Sequence, residues 1–123
     1  MKNTEGFLEK FNLTGKTALI TGGAGLLGFE HAIAILSANG NVVLWDLDSN
    51  QLSDKATELV NEFGKERVLI ALVDVTDEIQ ISDGLNKLID NGIEIDILIN
   101  NVAANPKYSS SDSKGNYSRL ENF

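Results

Sequence analysis

Four short apolar runs separated by three helical stripes constrain this 123-residue chain more than any other feature. The runs are Thr17–Ile20, Asn41–Trp45, Val68–Val73 and Ile95–Ile99, closed respectively by a glycine cluster, Asp46, Asp74 and the pair Asn100–Asn101. They are short, rich in β-branched residues and free of clean alternation, which is how strands buried on both faces of a parallel sheet read. Between them, Leu26, Leu27, Phe29, Ile33 and Leu36 mark a mostly apolar helix ending at Asn39–Gly40. Leu52, Ala56, Leu59, Val60 and Phe63 mark a second, ending at Gly64. Ile79, Ile81, Leu85, Leu88 and Ile89 mark a third, with Asp77 and Glu78 at its positive end and Asn91–Gly92 at its stop.

Strand–helix alternation predicts an α/β fold with right-handed parallel crossovers. If strands two and three step outward from strand one, strand four returns to its other side. The expected architecture is a Rossmann-like doubly wound parallel sheet of four strands in the order 3-2-1-4, with three helices. Two helices cover one face and the third covers the other. The order reverses between strands one and four, opening a crevice at their C-terminal ends. The sheet reads as incomplete, because strand four would be an apolar open edge. One domain is expected, with a core over residues 13–105 and a polar, serine-rich tail over residues 106–123.

Composition narrows the function classes. A formal net charge of −8, with ten scattered Lys and Arg residues, argues against nucleic-acid and anionic-membrane partners. With no cysteine there is no disulfide scaffold, thiolate metal site or cysteine nucleophile. The polar N-terminus has no signal-peptide core, and no apolar stretch reaches the roughly 20 residues that cross a bilayer. A cytoplasmic protein is expected.

Chemistry concentrates at Thr21-Gly22-Gly23-Ala24-Gly25-Leu26-Leu27-Gly28, which joins the first strand to the first helix. Binding a pyrophosphate requires outward-facing backbone N–H groups, no obstructing Cβ, and a helix N-terminus behind them. Gly22 is assigned the sharp turn, Gly25 the close approach to phosphate, and Gly28 close packing of the helix. Asp46 follows Gly28 by eighteen positions at the end of strand two. A carboxylate there accepts from both adenosine ribose hydroxyls and repels a 2′-phosphate, so NAD is favoured over NADP. Leu47 beside it joins the expected cofactor lining.

These residues resemble the short-chain dehydrogenases/reductases over about three-quarters of the chain, Leu13 to Asn105. The glycine loop is similar to the family's Thr-Gly-x-x-x-Gly-x-Gly. Asp74-Val75 resembles the pair that holds the adenine ring, and Asn100-Asn101-Val102-Ala103 resembles Asn-Asn-Ala-Gly after strand four. The resemblance therefore implies cofactor contacts at Thr21, Gly22, Gly25, Leu26, Leu27, Gly28, Asp46, Leu47, Asp74, Val75, Asn101, Val102 and Ala103. Leu26 departs from the pattern where a second glycine is usual. The resulting spacing also resembles the extended branch, which includes sugar-nucleotide epimerases and dehydratases.

The resemblance implies hydride exchange between a nicotinamide cofactor and an alcohol or ketone, through a Tyr and a Lys four residues later. Here Tyr108 is followed by Asp112 and Tyr117 by Glu121, so no catalytic residue is assigned. The chain is expected to be an inactive cofactor-binding fragment of a parent enzyme that takes a small-molecule substrate and forms a homo-oligomer. The alternative is a stand-alone dinucleotide-binding module. The Ser-rich loop with Tyr108 and Tyr117 and the segment Ser118–Phe123 hint at a sugar-like substrate. No metal site is expected. His31 reads as a packed or edge residue, Trp45 as packing beside the adenosine pocket, and Asp48, Asp54, Glu58, Glu62, Asp83 and Asp90 as solvated helix surface.

Overall fold

The computed structural model describes residues 4–102, and the tail residues 103–123 lie outside them. The elements are α1 (Thr4–Glu9), β1 (Thr17–Thr21), α2 (Leu26–Ser37), β2 (Asn41–Asp46), α3 (Ser49–Phe63), a 3-10 turn (Lys65–Arg67), β3 (Val68–Leu72), α4 (Glu78–Asp90) and β4 (Ile97–Asn100). The sheet is parallel with order β3-β2-β1-β4, as the alternation required. The three crossover helices are present. The six-residue α1 and the 3-10 turn are additions that hydrophobic periodicity did not reveal, because elements this short complete barely one period of pattern.

Strand four starts two residues later than its apolar run. Asp96 stops it: its N–H donates to the Thr17 carbonyl and its Oδ2 accepts from the Thr17 N–H, both at 2.9 Å. This pair fixes the register Ala18↔Ile97 that follows.

Alternation along the strands sorts the core into two layers. Ala18, Ile20, Val42 and Leu44 pack against Ala32 and Leu36 of α2 and Leu52 and Leu59 of α3. Leu19, Val43 and Trp45 face the other way, onto Val73 and Leu88 of α4. Strands β1 and β2 are buried on both faces, as expected. Strands β3 and β4 are not: Leu72 and Leu98 are each 57% exposed. The correction follows from position, since these two are the sheet edges and α4 alone lies on its face. Leu98 and Leu19 border an apolar hollow of about 560 Å³ beside Ile81 and Leu85 of α4.

Helix ends obey local chemistry. Asp77 caps α4, accepting from the N–H groups of Ile79 and Gln80. Asp48 does the same for α3 through Asn50 and Gln51, both at 3.1 Å, so it is an N-cap rather than solvated helix surface. An Asp placed before the first helical turn satisfies donors that have no intrahelical partner. At the other end of α2, Asn39 takes φ 70° and Gly40 donates to the Ile35 carbonyl. Arg67 completes that stop. Its Nη2 donates to Leu36 O at 2.6 Å and Gly40 O at 2.7 Å, and its Nε donates to Gly40 O. The guanidinium places positive charge on the negative end of α2 and lies 5.8 Å from the Phe63 ring centroid.

Trp45 is 3% exposed and packs beneath α4, where it also borders the apolar hollow that shares Val75, Thr76 and Val102 with the crevice. A Cβ on Gly84 would lie 2.9 Å from its Cζ2, so α4 meets the indole at the one residue without a side chain. The reason is parity. Asp46 occupies the strand end, and its neighbour points to the opposite face. Exposed His31 matches the edge reading.

Two outcomes are expected. Gly84→Val should destabilise the fold by about 1–3 kcal/mol despite leaving the helix intact, and should alter the emission of the sole tryptophan in denaturant titrations. Arg67→Ala should cost about 1.5–3 kcal/mol, and Arg67→Lys should recover only part of this, because an ammonium cannot reproduce the planar fork.

Candidate functional site

The turn after β1 is shaped by backbone contact. Gly22 has φ +67°, a conformation that suits glycine, and a Cβ on it would press on Asn101 Nδ2 at 3.1 Å and Val102 Cγ2 at 3.3 Å. Gly28 lies against the Gly22–Gly23 backbone so closely that a Cβ would overlap the Gly22 carbonyl oxygen. It thus brings the first turn of α2 onto the glycine loop itself, a refinement of the packing on the strand expected from sequence. Gly23, which the motif reading passed over, needs its missing side chain too: a Cβ would meet Leu44 Cβ at 2.8 Å.

Gly25 precedes α2 in extended conformation (φ −75°, ψ 172°) and has no side chain with which to cap it. The Gly25 carbonyl accepts from Phe29 N–H at 2.9 Å, while the N–H groups of Leu26, Leu27 and Gly28 have no partner among the described residues. Three donors at the positive end of a twelve-residue helix form an anion-binding arrangement. The Leu26 and Leu27 side chains are exposed, so their contribution here is the main chain.

Asp46 stands across from this turn. Its Oδ2 accepts from Ala24 N–H at 3.0 Å, and its Oδ1 accepts from Leu47 N–H at 2.7 Å and Asp48 N–H at 3.2 Å. The carboxylate is thereby tied to the glycine loop and to the entry of α3, and its orientation is fixed. Each oxygen's environment comes from a different element, which explains why sequence could identify the residue but not its tether.

The β3–α4 turn forms the third side. Asp74 Oδ1 accepts from the Thr76 hydroxyl at 2.6 Å and the Thr76 N–H at 2.9 Å. The Thr76 hydroxyl, then its N–H, hold the Asp74 carboxyl below its ordinary pKa, so it stays ionised to lower pH than a free aspartate. Asp74 N–H donates to Gln80 Oε1 at 2.8 Å, and Gln80 Nε2 donates to Asp77 Oδ2 at 3.2 Å.

The end of β4 closes the fourth side. Buried Thr21 Oγ1 accepts from the N–H groups of Asn101 (3.1 Å) and Val102 (3.4 Å). Asn101 Nδ2 donates to Gly22 O at 3.2 Å. Two side chains thus stitch β4 to the glycine turn across the point where strand order reverses.

Gly22, Gly25, Asp46, Leu47, Asp74, Val75, Asn101 and Val102 line one cleft of about 390 Å³. Thr21 and Gly28 lie behind its wall as buried supports, and Ala103 lies outside the described residues. Sequence reasoning missed Gln51, Val73 and Thr76, which also line the cleft. The run Asp74-Val75-Thr76 carried the only available signal, a hydroxyl two residues after an aspartate, a spacing that favours a local Asx turn. No helix among the described residues is long and apolar enough to cross a membrane. The tyrosines, the Ser-rich loop and the segment Ser118–Phe123 lie outside the described residues.

Known proteins share this fold and sequence pattern. Residues 16–120 match the family model described as short chain dehydrogenase. A short chain dehydrogenase/reductase of Gibberella zeae is 39% identical over 92 residues, covering 75% of this chain and 33% of that protein. Human 15-hydroxyprostaglandin dehydrogenase [NAD(+)] is 32% identical over 96 residues, covering 76% of this chain and 35% of the relative. The crystal structure of 2-keto-3-deoxy-D-gluconate dehydrogenase from Streptococcus agalactiae superposes with a TM-score of 0.74 at 30% identity, over 90% of this chain and 43% of that one. The chain thus spans about a third of the length of these two curated relatives. Glycine turn, strand order and sequence match agree: the chain belongs to the short-chain dehydrogenase family, oxidoreductases built on a nicotinamide-cofactor-binding fold.

Proposed function

We propose that this chain supplies the NAD-binding portion of an oxidoreductase that exchanges hydride between a nicotinamide cofactor and an alcohol or ketone. The observation that carries this reading is a helix start with three N–H groups that have no partner among the described residues, directly after Gly25 of the cleft wall, together with the fixed carboxylate of Asp46 in that same wall. The space a Cβ would fill at Gly22 and Gly28 is closed by the protein's own backbone and side chains. The turn is therefore already in the shape that presents those donors.

The residues fit a dinucleotide. Leu26, Leu27 and Gly28 N–H groups would hold the diphosphate, with Gly25 leaving room for its approach. Asp46 retains one acceptor site, on Oδ2, beyond the three hydrogen bonds it makes, and would use it for an adenosine ribose hydroxyl. Asp74 and Val75 offer a carboxylate acceptor beside an N–H donor, complementary to the amino and ring-nitrogen edge of adenine. Asn101, Val102 and, by family resemblance, Ala103 would border the remainder. When bound, the cofactor supplies a site that accepts or donates hydride. The chain's own residues bind and orient it.

NAD is favoured over NADP because a 2′-phosphate would meet the Asp46 carboxylate, with Asp48 two residues away and already occupying the first N–H groups of α3. No Lys or Arg directly follows Asp46 in the chain, where Leu47, Asp48, Ser49 and Asn50 stand. The chain alone is inactive in this reading, because neither tyrosine is followed four positions later by lysine. The parent enzyme would be a cytoplasmic homo-oligomer acting on a small, polar, sugar-like molecule. A stand-alone binding module is the competing reading, and it requires the same cleft.

Calorimetric titration should show NAD binding at least about ten-fold more tightly than NADP. Asp46→Ala should weaken NAD by about 10- to 100-fold, the value of hydrogen bonds to a charged group, and should erase the preference. Equal affinity of the unaltered chain for both cofactors would refute the role given to Asp46.

A further inference from the structure

Strand β3 is an edge of the sheet, paired on one side only, with β2. Its sequence, Val-Leu-Ile-Ala-Leu, has none of the devices that keep an edge from pairing with another chain. It holds no charge, no proline, and no bulge in its register with β2. Leu69 and Ile70 are 41% and 43% exposed, and Leu72 is more so. The backbone on this edge is unused as well. Val73 N–H donates to the Asp46 carbonyl and so points at β2. Because groups along a strand alternate sides, the N–H and C=O groups of Val68, Ile70 and Leu72 point outward.

The two ends of β3 differ in charge. Before it stand Arg67 and exposed Lys65, which has no carboxylate partner among the described residues. The Glu66 carboxylate between them lies 3.4 Å from where a Cβ on Gly64 would stand, turned back toward the end of α3. After β3 come Asp74, Asp77 and Glu78. A parallel neighbour of the same sequence would bring like ends together. An antiparallel one would bring the Lys65 end of each copy alongside the acidic end of the other, which is the favourable arrangement. The opposite edge, β4, has no such complementarity. Glu94 and Asp96 precede it, and Asn100 and Asn101 close it without a cation.

We propose that β3 is a self-pairing surface: a second copy of this chain adds its own β3 antiparallel to this one, with Ile70 opposite Ile70, and joins the two sheets into one. In this register Val68 faces Leu72 and Ile70 faces itself across a two-fold axis normal to the sheet. All of these are hydrogen-bonded pairs, so every outward N–H and C=O group of β3 finds a partner. A slip of one residue would set outward groups against inward ones. The contact uses the same patch on both copies and therefore closes at the dimer. Leu69 and Ala71 of the second copy come to the rim of the hollow of about 290 Å³ that β3 shares with α4. The inference stands independently of the cofactor reading, because it uses the opposite edge of β3 from the one that meets Asp46.

Sedimentation velocity of the full chain over a wide concentration range should show a monomer–dimer equilibrium. Ile70→Lys, which lays two like charges across the axis, should raise the dimer dissociation constant at least about ten-fold. Lys65→Glu, which removes a complementary contact twice in each dimer, should raise it at least about three-fold. The chain has no cysteine, so a single introduced one reports the register. A hydrogen-bonded antiparallel pair holds its Cα atoms about 5.5 Å apart, within disulfide range. Ile70→Cys should therefore cross-link on mild oxidation much faster than Phe11→Cys on α1. Monomer at every concentration would overturn the proposal. So would a dimer that both charged variants leave unchanged, or a Cys at position 70 that cross-links no faster than one at position 11. If circular dichroism shows that Ile70→Lys does not fold, the Lys65→Glu and cysteine variants decide the matter.

Discussion

Contact between the first turn of α2 and the glycine loop sets the geometry on which the rest of the cleft depends. Gly28 can lie on the Gly22 carbonyl only because it has no Cβ, and this closeness seats the first turn of α2 directly on the loop that walls the cleft. The same turn receives two outside ties. Asp46 reaches Ala24 from β2, and Asn101 reaches Gly22 from β4. Strands from both sides of β1 therefore hold one loop, and any shift of the loop would break hydrogen bonds on two sides at once.

Polar groups at the strand ends do most of this work, and they do it by hydrogen bonding to main chain rather than by pairing charges. Asp46, Asp48, Asp74, Asp77 and Asp96 each accept from backbone N–H groups, whereas the single ion pair among the described residues is Lys55–Glu58 at 3.6 Å on the surface of α3. Carboxylates used this way are directional and resist screening better than exposed ion pairs, which contribute little. An acidic chain can therefore be well ordered without matching cations.

Much of the fold was legible because burial of parallel strands imposes composition. The runs at Thr17, Asn41 and Val68 could be read as strands without knowing their partners, and once strands two and three were taken to step outward from strand one, the right-handed crossovers assigned each helix to its face. The exposure of β3 and β4 was less legible, since an apolar edge strand and an apolar central strand have the same composition. The seat of Trp45 under α4 was illegible for a related reason. Its side is decided by counting from Asp46, and sequence gives no sign of the cavity that Gly84 leaves for it on α4.

By itself the sequence determined the alternation, the glycine turn, the acidic strand ends and hence the family, because each depends on residues close in the chain. Tertiary structure alone decided which groups share an atom. Ala24 meets Asp46 across 22 positions, Asn101 meets Gly22 across 79, and Arg67 finds the end of α2 across 31. Such pairings arise from crossover geometry, where a shift of one residue in register would turn each side chain to the opposite face. Local pattern carries no information about that registration until the sheet has formed.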